Sequence, residues 1–187
     1  MLIDDNFLSD QSIKDIQERV LIHNRDINWV LAFNTNLQED DHVTSNQSVL
    51  ESYQFVAGLM PNTTPYHYFW NIFRSFAVKH EIEYTRIIRM KLNWLPQSPH
   101  ASSESYHLPH VDSDESHKVF LYYLNDSDGD TFFFNETYPL FKDSELTLNK
   151  RVSPKAGRGV VFDGLTYHAS SSPKNSEYRC ILNIDFI

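Results

Sequence analysis

Hydrophobic and polar positions change their period along the chain. Near the N-terminus Ile13, Ile16 and Val20 recur at helical spacing behind Ser9 or Asp10, either of which can cap, and predict a helix to about His23. Asn28 to Phe33 and Tyr53 to Met60 are short apolar runs that read as strands, the second ended by "PNTTP". Thr64 followed by Pro65 places a cap before a first-turn proline. Phe69, Ile72, Phe73, Phe76 and Ala77 then line one helical face and read as core packing. After Glu83 the period falls to two: in "RIIRMKLNW", Ile88, Met90, Leu92 and Trp94 share one face and Arg89, Lys91 and Asn93 the other. A polar loop, "PQSPHASSES", precedes further strand-like runs: "KVFLYYLN", "TFFFN", "LTLNKRV", "RGVVFDG" and "RCILNIDF". Four of the five glycines fall between Gly129 and Gly164, at turns between these runs. The pattern predicts one α+β domain over 1–187, with 1–82 mainly helical support and 83–187 an antiparallel β-sandwich or barrel.

A chain of 187 residues, 41% hydrophobic and 22% charged, is long enough for one real core. Its net charge of −9 argues against phosphate-driven nucleic-acid binding and against docking on anionic membranes. No apolar run approaches the roughly 20 residues of a membrane-spanning helix, and "MLIDDNFLSD" lacks a secretory pattern. With Cys180 as the one cysteine there is no internal disulfide and no cysteine-based zinc site, and a cytoplasmic, reducing location is expected. Nine histidines turn any metal chemistry toward nitrogen and oxygen ligands.

The most informative segment is His110-Val111-Asp112. Residues two apart on a strand face the same way, so one imidazole and one carboxylate can grip one ion. Alone the signal is weak, since chance supplies about one His-x-Asp in a chain of this composition. His168 adds a second imidazole, and Arg179 lies 11 residues beyond it. Two histidines and one carboxylate on one octahedral face leave three positions open, which suits Fe(II) that must take a cosubstrate and oxygen together. A buried arginine beyond such a site can hold a carboxylate in a bidentate grip.

"HVD", "YYLNDSDGDTFFF", "SPKAGRGVVFDGLTYHAS" and "RCILNIDF", in this order over about 83–187, resemble the iron(II)- and 2-oxoglutarate-dependent dioxygenases, nearest their prolyl 4-hydroxylase-like branch. The resemblance implies a double-stranded β-helix, the cupin-like jelly roll, with supporting N-terminal helices. It implies that His110, Asp112 and His168 bind iron, and that Arg179 and the Tyr123 hydroxyl meet the distal carboxylate of 2-oxoglutarate. Thr131 matches a residue of the cosubstrate pocket, and Asn93 holds roughly the place of another, commonly tyrosine. Fe(II), 2-oxoglutarate and O2 are the implied cofactors, with ascorbate as an optional reductant. The implied reaction is hydroxylation of a C–H bond with release of succinate and CO2. Asp112 favours that outcome over halogenation, which needs a small residue there.

This sequence departs from the family pattern in three places. Asp128 stands where members often carry the first of two glycines, the gap from His168 to Arg179 is about a residue or two longer than is common in the prolyl hydroxylases, and "KLNWLPQ" replaces a tyrosine, proline and glycine pattern. The substrate is therefore read broadly, as a peptidyl prolyl, another amino-acid-like group or a small molecule. Arg89, Lys91 and Asn183 face the pocket by alternation, which favours an anionic or polar substrate. The polar segments 39–47 and 96–105 read as lids. His107 and His117 fit no ligand slot and read as solvated loop residues, Asp126, Asp128 and Asp130 as an acidic turn, and Cys180 as packing on the face opposite Arg179. Two other readings stay open: a cupin-like metal enzyme without 2-oxoglutarate, and a jelly-roll binding module that has lost its chemistry.

Overall fold

The computed structural model describes residues 1–23, 26–33, 53–102, 104–141 and 145–187. Period-two alternation after Glu83 produces long antiparallel strands. β4 (Ile87–Pro96) pairs with β10 (Tyr178–Phe186), which pairs on its other side with β5 (Lys118–Tyr123). β5 pairs with β8 (Gly159–Asp163), and β8 with β1 (Leu2–Asp4) at the sheet edge. On the far side β4 pairs with β3 (Gln54–Gly58) and β3 with β2 (Val30–Ala32), giving seven strands in the order β1-β8-β5-β10-β4-β3-β2. A second sheet has the order β7-β6-β9, from β7 (Leu148–Val152), β6 (Thr131–Thr137) and β9 (Thr166–Ser170).

The larger sheet separates two environments. Its outer face carries Met90, Leu92, Phe120, Tyr122, Cys180, Leu182, Ile184 and Phe186. Against it packs α2 (Thr64–Lys79), through the buried stripe Phe69, Ile72, Phe73, Phe76 and Ala77. The rings of Phe73 and Phe186 lie 4.8 Å apart, and those of Phe76 and Phe120 5.0 Å apart. α1 (Asp10–Gln17), with the π-helical turn Glu18–Ile22 that continues it, adds Ile16 and Val20. Its cap is Ser9, whose hydroxyl accepts from the Ser12 N–H. The cap of α2 is Thr63, one residue before the expected Thr64, and Pro65 sits in the first turn.

The inner face is divided lengthwise. On β5 and β8 it shows Val119, Leu121, Tyr123, Val160 and Phe162, which pack with Phe133 of the smaller sheet. On β4 and β10 the same face reads Arg89, Lys91, Asn93 and Leu95 opposite Asp185, Asn183, Ile181 and Arg179. The space between the sheets thus has an apolar wall and a polar wall.

The expected strands form, with ends shifted by a few residues. Residues 1–82 are more than helical support, because β1, β2 and β3 extend the same sheet. β1 went unread because three residues within an acidic stretch carry no period. β9 is likewise a strand in its own right, and Gly164 and Leu165 separate it from β8. The expected lid at 39–47 lies outside the described residues, and 96–105 is described except at 103. Ser98, Ala101 and Ser105 of that segment are buried, and the Ser98 N–H donates to the Pro173 carbonyl, so much of it is packed structure. Among the described residues no helix is long and apolar enough to cross a membrane.

Candidate metal centre

His110 follows a loop and meets β9 in an isolated antiparallel bridge with His168. Each backbone N–H donates to the other's carbonyl, at 2.9 and 3.0 Å. This pairing turns both imidazoles to one side, with ring centroids 4.7 Å apart. Nδ1 of His110 donates to the Leu108 carbonyl at 3.1 Å, and Nδ1 of His168 to the Thr166 carbonyl at 3.0 Å. A carbonyl only accepts, so each Nδ1 carries a proton, and in the neutral ring Nε2 is then the nitrogen with a lone pair for a metal. Burial and the neighbouring His168 push the His110 pKa down to about 3, which keeps it neutral.

Asp112 lies two residues on, its side chain 2% exposed. Its Oδ2 stands 3.5 Å from His168 Nε2 and accepts from Asn183 Nδ2 at 3.2 Å. Its Oδ1 accepts from the Arg89 guanidinium and lies 3.6 Å from Lys91 Nζ. Burial opposes ionisation, but the basic groups around the carboxyl, Lys91 among them, outweigh it and hold it well below the usual range. Arg89 also reaches Asp185 Oδ2 at 2.7 Å. Burial and the like charge of Asp112 raise the Asp185 pKa to about 6. One ligand atom from each of His110, Asp112 and His168 falls within 4.8 Å of the others, and among the described residues no other such cluster occurs. Neutral imidazoles and a carboxylate fit a divalent first-row metal.

A narrow cleft of about 40 Å3 runs from the two imidazoles along the polar wall to Arg179. Arg179 is 1% exposed. Its Nη2 donates to Thr131 Oγ1 at 2.7 Å, and that oxygen lies 2.7 Å from the Tyr123 hydroxyl. The guanidinium carbon stands 5.7 Å from the Tyr123 ring centroid. Nε and Nη1 of Arg179 are buried without partners. A guanidinium with two free N–H groups at the closed end of a cleft is a fitted receptor for a carboxylate. Thr131 and Arg179 line the cleft, with Tyr123 standing behind Thr131. Asn93 lines the same cleft from the side wall, donating from Nδ2 to Gln54 Oε1 at 2.8 Å.

Two histidines expected in solvent are buried. His107 is 4% exposed and its ring nitrogens lie 3.1 Å from the Ser170 and Ser172 hydroxyls. Burial, then Arg179, bring its pKa down to about 3, so it backs the anion end as a neutral group. His117 is 3% exposed, with Nδ1 bonded to the Glu115 carbonyl at 2.7 Å and its ring against Gly164. A Cβ at Gly164 would come within 2.2 Å of that ring. Irregular backbone carries no period, so neither burial was legible. Arg89 differs from expectation too, because its charge is engaged by two carboxylates while Lys91 and Asn183 line the cleft.

Asp128 and the long loop before Arg179 explain each other. The Asp128 carboxylate accepts the N–H groups of Asn175 and Ser176 at 2.9 and 3.0 Å, and Asn175 Nδ2 at 2.7 Å. Next to it a Cβ at Gly129 would stand 2.5 Å from the Ser171 carbonyl, so only glycine fits under that loop. Asp126 and Asp130 serve other partners, the Ala156 N–H and Arg151, as suits an acidic turn. Burial pushes the Asp128 carboxyl up, and the Ser176 and Asn175 bonds outweigh it and bring it down to about 2. A depressed folded pKa stabilises fully above the ordinary 3.8 and is lost as pH falls through 2. Asp128→Ala is therefore expected to cost about 1 kcal/mol at pH 7. In urea melts the gap from the parent should narrow below about pH 4.

No family model and no curated protein matches the sequence. Solved structures do match over the whole fold. The non-haem alpha-ketoglutarate-dependent epimerase SnoN of nogalamycin biosynthesis superposes with a TM-score of 0.67 at 10% identity, covering 100% of this chain and 77% of that one. A prolyl hydroxylase from Trichoplax adhaerens, in complex with a peptide of hypoxia inducible factor, gives 0.65 at 14% identity, covering 100% and 82%. HygX from Streptomyces hygroscopicus, with nickel, 2-oxoglutarate and hygromycin B bound, gives 0.63 at 11% identity, covering 99% and 81%. Two hydrogen-bonded histidines, a clamped aspartate and an unpaired arginine therefore sit in a chain that has the jelly-roll fold of the 2-oxoglutarate- and iron-dependent oxygenases.

Proposed function

We propose that the chain is a non-haem Fe(II)- and 2-oxoglutarate-dependent oxygenase that hydroxylates a C–H bond of an amino-acid-like or peptidyl substrate. The observation that carries the reading is the unpaired, fully buried Arg179 at the far end of a cleft that opens on His110, Asp112 and His168. The two Nε2 atoms and Asp112 Oδ2 would hold the metal. Arg179 and Thr131 would hold the distal carboxylate of the cosubstrate, with Tyr123 fixing the Thr131 hydroxyl. When bound, iron and 2-oxoglutarate supply the oxidising chemistry, with succinate and CO2 as by-products. The protein's own part is placement. The Leu108 and Thr166 carbonyls fix the imidazole tautomers, Arg89 and Asn183 fix the carboxylate, and Leu121 and Ile181 keep the cleft apolar on one side. O2 and, as an auxiliary reductant, ascorbate complete the requirements. The Trichoplax prolyl hydroxylase was solved with a peptide and HygX with hygromycin B, which supports reading the substrate class broadly.

The test is anaerobic addition of Fe(II) and then 2-oxoglutarate to metal-free protein. The weak visible charge-transfer band of the chelate should appear in the parent and be absent in His168→Ala. Iron binding without the band would favour a metal enzyme that does not use 2-oxoglutarate. Absence of iron binding would leave a jelly-roll binding module.

A further inference from the structure

The inner face of β4 and β10 holds three cations, Arg89, Lys91 and Arg179, and the carboxylate of Asp185, and the Asp112 carboxylate comes against it from the loop after His110. A divalent metal and a dianionic cosubstrate cancel each other, so the loaded site keeps one positive charge in excess. The contacts show where that charge sits. Arg89 has both carboxylates, and Arg179 has the cosubstrate end. The nearest carboxylate to Lys91 is Asp112, with Oδ1 at 3.6 Å, Asp185 stands further off, and Arg89 already engages both. A largely buried ammonium that shares its carboxylates with an arginine is incompletely compensated, which is costly.

The surroundings of Lys91 are open on the cleft side. Its partner in β3 is Gly58, where a Cβ would have nothing within 4 Å. Its partner in β10 is Asn183, whose Oδ1 is buried and unpartnered, as is that of Asn93 two residues along β4. Lys91, Asn93 and Asn183 all line the cleft that opens on His110 and His168.

Resting on the oxygenase reading above, we infer that Lys91 is the binding site for a carboxylate of the substrate, which makes the substrate a monoanionic acid at that end. Because Lys91 adjoins Asp112, the carbon that reacts lies close to this acid group. A neutral prolyl peptide leaves the excess charge in place and is the wrong class.

The probe is acetate, with acetamide as its uncharged match. Both are titrated by saturation-transfer NMR into protein holding saturating Ni(II) and 2-oxoglutarate, at constant ionic strength. Loading is checked by the shift in melting temperature. Acetate should bind the parent at least tenfold more tightly than acetamide does. Lys91→Met should lose acetate by at least tenfold while still loading metal and cosubstrate, and Lys91→Arg should retain it. Equal binding of acetate and acetamide, no binding of acetate, or acetate binding unchanged in Lys91→Met overturns the inference alone. Failure of the parent to load overturns the oxygenase reading and this inference with it.

Discussion

Arg179→Met is expected to abolish the response to 2-oxoglutarate while leaving the ligand-free protein as stable as the parent or more so. The two effects have one cause. In the ligand-free protein the guanidinium is 1% exposed and two of its nitrogens lack partners, so it carries a desolvation cost without a counter-ion. Burial pushes its pKa downward, a sign of the same cost. Methionine fills a similar volume without charge, and Thr131 and Tyr123 keep their mutual hydrogen bond. Losing one partner of a buried charge-assisted pair costs about 2–5 kcal/mol, which is roughly thirtyfold to several thousandfold in the dissociation constant. Calorimetric titration of the Ni(II)-loaded protein and thermal melts with and without cosubstrate check both parts. A large drop in the ligand-free melting temperature, with 2-oxoglutarate affinity retained, would make Arg179 a structural residue.

Asp112→Ala should show the opposite pairing of effects. Metal affinity should fall by more than about a hundredfold, the range that outer-sphere changes alone can reach. Stability should fall even without metal, because Asp112 is also the counter-ion of the cations on β4. Without it Lys91 loses its nearest carboxylate and Arg89 keeps only Asp185. Breaking a fully buried pair costs about 3–5 kcal/mol, and since Arg89 is 40% exposed about 2–3 kcal/mol is expected here. His168→Ala removes an equally direct ligand and no charge, so it should lose the metal with a smaller stability loss. Urea melts of the two metal-free variants separate the roles, and equal losses would show that Asp112 does not balance the charge.

What was legible in the sequence follows from range. Period-two alternation on β4 placed Arg89, Lys91 and Asn93 on one face, and the two-residue spacing kept His110 and Asp112 close, although they occupy a lone bridge and a bend and not the strand that spacing assumed. Both are local properties. The α2 stripe was legible for the same reason, since helix neighbours are sequence neighbours at fixed intervals. What joins His168 to His110 is a bridge across 58 positions, and there the resemblance of longer motifs did what periodicity could not. Alternation also could not tell which cation of β4 is engaged, because Asp185 of β10 decides that for Arg89. The burial of His107 depends on two serines more than 60 residues away.

The bridge between His110 and His168 has a consequence for solubility. β9 is an outer strand of the three-stranded sheet, and among the described residues its free edge is covered by no strand but by that bridge and by the His107 N–H donating to the Ser170 carbonyl. An uncovered strand edge is a template for another chain. A metal ion gripped by both histidines and Asp112 would rivet this cover to the edge, and removing the ion would leave it held by a few backbone hydrogen bonds. In such a protein, loss of the cofactor and the onset of edge-to-edge aggregation are a single event, and metal supply during folding protects the yield of monodisperse protein as directly as it protects activity.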